Sequence, residues 1–448
     1  MEIVNKLKIK IQQHSSLEKI ISNVGWLLFE KIFRMIVGLI TGVWIARYLG
    51  PSEFGILNYV LALVEIFTII AGLGLDGIVV RNIVQRPENR NEILGTSFVL
   101  KLLAGFVSAV LLNIIILMTS ENTNIIYLTF IISVNLIVNS FTIIDYNFQA
   151  ELKSKYTVFS YSIAFSITSI LKIISILTSQ PLIVFGCLNV VEVVLGSLGL
   201  ILFYKKRQLR NWSFSFKMAK FLLRDSWPLL FSGLAVIIYM RIDQIMLGSL
   251  VNSEEVGLYS VAVKTAELWY FIPTSLVTST FPSLINAKKE SQEKYLKRLQ
   301  NLYDIMALIG YAVAVPTIFL SDEIIKLLYG ESYSKASLLL SLYILAGIFV
   351  NLGVARSSFL KIENWTKIHL ISSLIGCLLN ILLNMILIPH YGALGATIAT
   401  LFSYWVQAHG VCFLIPKMLP TAKMLTKSLL IPIRFKDMVY WFRNSILK

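Results

Sequence analysis

Apolar runs of about twenty residues follow one another along nearly the whole chain, separated by short polar or basic stretches. Each run is long enough to cross a hydrocarbon layer of roughly 30 Å as a helix. In that medium only a helix or a closed barrel satisfies the backbone. Charged residues make up 15% of 448 positions and hydrophobic ones 56%, whereas a soluble chain carries about a quarter charged. The chain therefore reads as an all-α integral membrane protein with about twelve transmembrane helices. They fall approximately at 24–47, 55–80, 93–118, 124–146, 157–178, 181–204, 223–249, 256–284, 301–320, 336–360, 367–388 and 391–415. Helices that are apolar nearly all round have little moment, so length and the charged or Pro/Gly breaks set these limits.

The net charge of +15 does not indicate nucleic acid. The basic residues alternate between loops, with runs such as Lys205-Lys206-Arg207 and Lys288-Lys289 on one side and nearly neutral loops on the other. Lys and Arg collect on the cytoplasmic side, which puts both termini there. The N-terminal stretch is basic and amphipathic (Lys6, Lys8, Lys10, Lys19) and lacks a small-residue cleavage site, so the first span reads as an uncleaved anchor. Cys187, Cys377 and Cys412 all lie in apolar segments without paired or metal-like spacing. The segment Ser321–Lys335 holds an amphipathic piece expected at the interface. The basic tail from Lys417, with Tyr440, Trp441 and Phe442, is expected at the anionic inner leaflet.

One motif occurs twice. Tyr48-Leu-Gly-Pro-Ser-Glu-Phe-Gly-Ile-Leu-Asn-Tyr59 has a counterpart in Met246-Leu-Gly followed by Ser253-Glu-Glu-Val-Gly-Leu-Tyr-Ser260, and ten residues after the second Gly come Glu65 and Glu267. Both copies fall in loops on the outer side, between the first two spans of a six-helix group. A repeated helix pair predicts two pseudo-symmetric six-helix lobes with a substrate path at their interface. The expected division is a cytoplasmic tail 1–23, an N-lobe 24–204, a linker 205–222, a C-lobe 223–416 and a basic cytoplasmic or interfacial tail 417–448.

No catalytic motif is present: the four His have no ligand-like neighbours and there is no P-loop. An enzyme, a bound cofactor and a metal centre are not expected. Ionisable residues inside spans stand out instead, because an unpaired charge at mid-bilayer costs several kcal/mol. Glu30 and Arg34 sit four apart on the first span and can neutralise each other. Arg34, Lys172, Arg241 and Lys264 lie deep, whereas Lys101 and Arg356 lie near cytoplasmic ends where a long side chain can snorkel. These six predict a cationic cavity that favours phosphate. Glu65, Asp76, Asp243 and Glu267 are the candidates for ion coupling or charge balance, with Glu65 and Asp76 on one face of the second span. Lys172 and Glu192 read as singletons.

Ala46-Arg-Tyr-Leu-Gly-Pro-Ser-Glu-Phe-Gly55 with Gly72-Leu-Gly-Leu-Asp76 resembles the opening helix pair of the Wzx-type O-antigen and oligosaccharide flippases. Asp243-Gln-Ile-Met-Leu-Gly248, Glu255-Val-Gly-Leu-Tyr-Ser-Val-Ala262 and Phe281-Pro-Ser-Leu284 are similar to that family's middle signature. Asn380 to Asn384 and Leu387 to Thr400 are similar to its C-terminal one. The family belongs to the multidrug/oligosaccharidyl-lipid/polysaccharide exporter superfamily. The resemblance implies transport of undecaprenyl-pyrophosphate-linked repeat units from the inner to the outer face of a bacterial cytoplasmic membrane. Two lobes would work by alternating access coupled to an ion gradient. It implies lipid-linked oligosaccharide and membrane lipids as partners, and allows a polysaccharide polymerase or chain-length complex. Under that resemblance Asn58, Tyr59, Gln149 and Tyr239 are candidate sugar contacts. The competing readings are a drug or metabolite exporter of the same superfamily, a lipid II flippase, whose usual additional pair of spans is not expected here, and a non-transporting partner of a polymerase complex.

Overall fold

The computed structural model describes residues 2–205 and 211–434. Lys206, Arg207, Tyr440, Trp441 and Phe442 lie outside them. Among the described residues the chain is helical throughout, and nine helices are long and apolar enough to cross a membrane. The chain is a multi-pass membrane protein.

The first helix, α1, runs Glu2–Gly72. It is broken at Gly50, whose φ of 70° favours glycine, and Pro51 follows without a backbone donor. The second predicted span, 55–80, ends early. Gly72 is followed by Leu73 and Gly74 in left-handed conformation, and a separate helix α2 (Asp76–Gln85) begins. Glu65 and Asp76 are therefore on different helices, and the shared face expected of them does not exist. A side chain at Gly74 would overlap the backbone of Ser226 and Leu230, so this break needs glycine twice over.

Helix α3 spans Arg90–Thr119. Its outward face carries Leu103, Phe106, Val107, Val110 and Leu111, all exposed, while Gly105, Ser108, Ala109 and Leu112 are buried. Large apolar groups meet lipid and small ones let helices approach; a Cβ at Gly105 would strike the Leu136 backbone. The predicted span 124–146 is discontinuous: α4 (Thr123–Val138), capped by Asn122, passes through a 3₁₀ turn (Asn139–Thr142) into α5 (Ile143–Ala150). The helices α6 (Lys155–Leu177) and α7 (Leu182–Lys205) follow, then α8 (Phe216–Leu250) with Pro228 inside. At α5's end, burial disfavours the Glu151 charge, but Lys153 and Arg90 outweigh it and hold the carboxyl below the usual range.

The predicted span 256–284 is also interrupted. Helix α9 (Ser253–Glu267), capped by Asn252, ends in a 3₁₀ turn (Leu268–Tyr270) before α10 (Phe271–Glu290). Helix α11 (Gln292–Phe319), capped by Ser291, leads to the short amphipathic α12 (Ser321–Tyr329) and then α13 (Ala336–Ile362). Helix α14 (Thr366–Trp405) breaks at Gly392, φ 55°, after Pro389, and a π turn (Val406–Gly410) joins it to α15 (Val411–Leu414). The last described helix, α16, is Leu419–Leu429.

The chain forms two compact units: Met1–Leu49 with Tyr59–Ile237, and Gly50–Asn58 with Ile238–Lys448. In the first, Leu75, Val79, Ile93, Leu94, Ile143 and Leu200 form an apolar core around α2 and α5. In the second, both copies of the repeated motif meet. A Cβ on Gly55 would overlap the Ser253 carbonyl, and one on Gly257 would overlap the Pro51 carbonyl. Pro51 and Ser253 each precede their own Gly by four residues. The contact is thus reciprocal, as in a two-fold interface.

Candidate functional site

The first unit holds a charge cluster built from three helices. Arg34 on α1 and Lys172 on α6 each approach Glu192 on α7 at 3.0 Å, one to each carboxylate oxygen. Glu30 lies 3.7 Å from Arg34, and Thr168 donates to Glu192 at 3.3 Å. The guanidinium also stacks over Phe165. Glu192 is no singleton; it is the shared anchor of both cations. Two cations meet two carboxylates, so the cluster is balanced. The side chains of Lys172 and Glu192 are 13% and 15% exposed and that of Arg34 39%, which leaves the Arg34 fork accessible. Glu192→Gln should lower thermal stability in detergent by about 1–3 kcal/mol, less than a fully buried pair because Arg34 is partly exposed. An unchanged melting temperature would show that the cluster is not structural.

A second cluster lines a cavity of about 270 Å³ where the broken ends of α1 and α4 meet α3. Lys101 donates to Thr142 at 2.7 Å and to Tyr146 at 3.0 Å, and Tyr146 donates to Asp76. Asp145 accepts from Thr157 and Gln149. Lys101 is only 5% exposed, so it is enclosed by hydroxyls and does not snorkel. The helix breaks explain the placement: each turns polar side chains toward a common space.

In the second unit Asp243 on α8 is buried, 2% exposed. Its hydrogen bonds come from neutral side chains: Tyr259 at 2.6 Å, Thr400 at 2.6 Å and Asn384 at 2.5 Å. Asn380 stands one turn from Asn384 and bonds to it. A carboxylate in such a shell, with oxygen-bearing neighbours from α9 and α14, can take up and release a proton or small cation. Tyr259, Asn380, Asn384 and Thr400 stand in the signature stretches of the sequence but are not among its candidate site residues, although Asn380 and Asn384 are four apart in an apolar helix and so share a face.

The other candidates Arg241, Lys264, Glu65 and Glu267 are each engaged with a partner in the structure. Arg241 is part-buried two residues before Asp243, and Lys264 lies over the Phe54 ring at 4.8 Å. Glu267 ends α9, and Glu65 is part-buried in the first unit. Arg356, 1% exposed, reaches Cys412 at 3.4 Å and is deeply enclosed, not at a rim. Of the sugar-contact candidates, Asn58 bonds its own helix at Phe54, Gln149 bonds Asp145, Tyr239 packs on Tyr404 and Tyr59 is buried. Among the described residues no three His, Cys, Asp or Glu gather as a metal site.

The family model for polysaccharide biosynthesis proteins matches residues 20–288, and the MatE model matches residues 228–386. The Haloferax volcanii protein named "Probable flippase AglR" is 27% identical over 169 residues, 37% of this chain and 35% of that protein. The Staphylococcus aureus "Capsular polysaccharide biosynthesis protein CapF" is 25% identical over 186 residues, 40% of this chain and 46% of that one. These matches span less than half of each relative's length. A solved structure of the lipid II flippase MurJ superposes with TM-score 0.71 at 19% identity, covering 92% of both chains. An inward-facing multidrug transporter of the MATE family gives 0.70 at 18%, covering 88% of this chain and 96% of that one. These two likenesses concern the fold. With more than half its length matched by one family model, the chain belongs to the polysaccharide biosynthesis protein family.

Proposed function

We propose that the chain is a flippase for undecaprenyl-pyrophosphate-linked oligosaccharides, the repeat units of O-antigen or a related surface polysaccharide. It moves them from the inner to the outer face of a bacterial cytoplasmic membrane. The observation that carries this reading is the convergence of Arg34 and Lys172 on the two oxygens of one carboxylate. Two cations held that way match a phosphate, and Glu192 is the internal anion a pyrophosphate would displace. The sugars travel through a wet path, while the prenyl chain stays in lipid. Family membership and the flippase names among the relatives support the substrate class.

In this reading α1 and α14 are each divided at their glycine breaks and α4–α5 and α9–α10 each count as one crossing, which gives twelve crossings and both termini on one side. The basic loops assign that side to the cytoplasm. In this scheme the lobes are 24–204 and 223–416, and the reciprocal Gly55–Gly257 contact is the closed outer gate. Asp243 couples the cycle to an ion gradient, with Glu65, Asp76 and Glu267 as balancing groups. Lys101 in the first unit and Arg241 and Lys264 in the second are the further cationic candidates, whereas Arg356, 1% exposed, is held inside the helix packing. A second reading, export of cationic small molecules, draws on the charge balance of the Arg34 cluster and on the MatE match.

The test is complementation of a flippase-deficient strain with Arg34→Gln/Lys172→Gln. Surface polysaccharide should fall by roughly tenfold or more, about the cost of one lost charge-assisted bond, with lipid-linked repeat units accumulating inside at equal protein level. Full export by the double variant, or efflux of cationic dye by the wild type without glycan export, would overturn the flippase reading.

A further inference from the structure

We propose that the second unit carries a binding site for an anionic phospholipid between α11 and α16, separate from the translocation path. A cavity of about 640 Å³ opens there. On α11 it runs from Leu296 to Leu308, twelve residues and so about 18 Å of helix. That length reaches from a charged first turn into the apolar part of the span, the same change of medium that a phospholipid crosses from headgroup to acyl chain.

The lining combines cationic, polar and apolar side chains. Lys297, Lys423, Lys427 and Arg434 bring four cations to it, and Asp304 is its one carboxylate. Asp304 is occupied, accepting from Gln300 at 2.7 Å and Ser428 at 2.5 Å. Gln300 also donates to the Met424 carbonyl at 3.2 Å and to Ser428 at 2.8 Å, so these groups fasten α16 to α11 and form a polar floor. Tyr311 completes the fastening by donating to the Leu429 carbonyl. Among the described residues no carboxylate pairs with Lys297, Lys423 or Lys427, whose side chains are exposed. Ile305, Leu308, Met424 and Ile431 supply apolar wall.

Lysines three and four residues from apolar neighbours on α16 form one amphipathic face, which suits a helix lying at the interface. A cluster of Lys and Arg there attracts anionic headgroups, each residue contributing about fivefold in affinity. A neutral headgroup would leave the cations unmatched, and a free phosphate would leave the apolar wall empty. An anionic diacyl phospholipid satisfies both.

Native mass spectrometry of the full-length protein, released from nanodiscs of mixed phosphatidylglycerol and phosphatidylcholine, tests this. The wild type should retain phosphatidylglycerol selectively. Lys423→Gln/Lys427→Gln should reduce retention roughly tenfold or more, and Met424→Trp, which keeps every charge but fills the wall, should reduce it too. Equal retention of both lipids, or retention unchanged by either variant, would overturn the site. A photo-crosslinking residue at Met424 should capture phosphatidylglycerol. Capture of residues 435–448 or of a second copy of the chain in its place would also overturn it, as would displacement of the lipid by inorganic phosphate alone.

Discussion

Gly257→Val is expected to cut glycan export by roughly tenfold or more while the protein still reaches the membrane. The Gly257 Cβ position falls on the Pro51 backbone, and the Gly55 Cβ position falls on that of Ser253. Backbone cannot rotate away as a side-chain end can, so the added methyls must push the helices apart. Such overpacking costs about 1–3 kcal/mol, and 1.4 kcal/mol is a tenfold change in the population of the crossed state. Gly42 is the control, since nothing lies within 4 Å of its Cβ position, and Gly42→Ala should export normally. If the crossing closes a gate, a reporter cysteine at the buried Asn58 should react with external reagents in Gly257→Val and stay protected in the parent. Wild-type export together with unchanged labelling would remove the crossing from the mechanism. Because each glycine rests on the start of the other's motif, Gly55→Ala and Gly257→Ala should not add independently.

Asp243→Asn is expected to abolish ion-driven export and to leave the fold intact. Three neutral donors converge on the carboxylate. An amide offers them one oxygen and turns its NH₂ toward the rest, a mismatch of about 1–3 kcal/mol. Against that, removing a buried charge with no cation bonded to it lowers the desolvation penalty. Melting temperature should therefore change little. The wild type should be stabilised by the coupling ion, since a ligand that binds only the folded state raises its stability, and Asp243→Asn should lose that response. Thr400→Val removes one donor and keeps the charge, so its effect on transport should be weaker. Ion-dependent export retained by Asp243→Asn would exclude this carboxylate as the coupling group.

The apolar runs made the membrane class and most helices legible, because length and hydropathy act locally. The caps Asn122, Asn252 and Ser291 are short polar residues at helix starts, a signal legible in the sequence. What escaped was non-local. Glu30 and Arg34 are visible as a pair through their spacing, yet Arg34 and Lys172 both bond Glu192, which is 158 and 20 residues away. The break after Gly72 had a signal in the Gly-Leu-Gly run, although it read equally as close packing. The 3₁₀ turn at Leu268–Tyr270 has no Gly or Pro within it, and nothing local announces it. Lys101 and Arg356 read as rim residues because depth along a helix cannot tell a side chain that reaches water from one enclosed by neighbouring helices.

Two helices belong to both compact units. The boundary crosses α1 twice, at the Gly50 break and again between Asn58 and Tyr59, and α8 once, between Ile237 and Ile238; at the last two points the helix continues unbroken. A joint made of loop would let the units turn at almost no cost. Here each turn has to flex a hydrogen-bonded rod, with Pro228 as the one weakened rung in α8. A bend in α1 or α8 at these unbroken points therefore costs backbone hydrogen bonds, so neither helix offers a free hinge there.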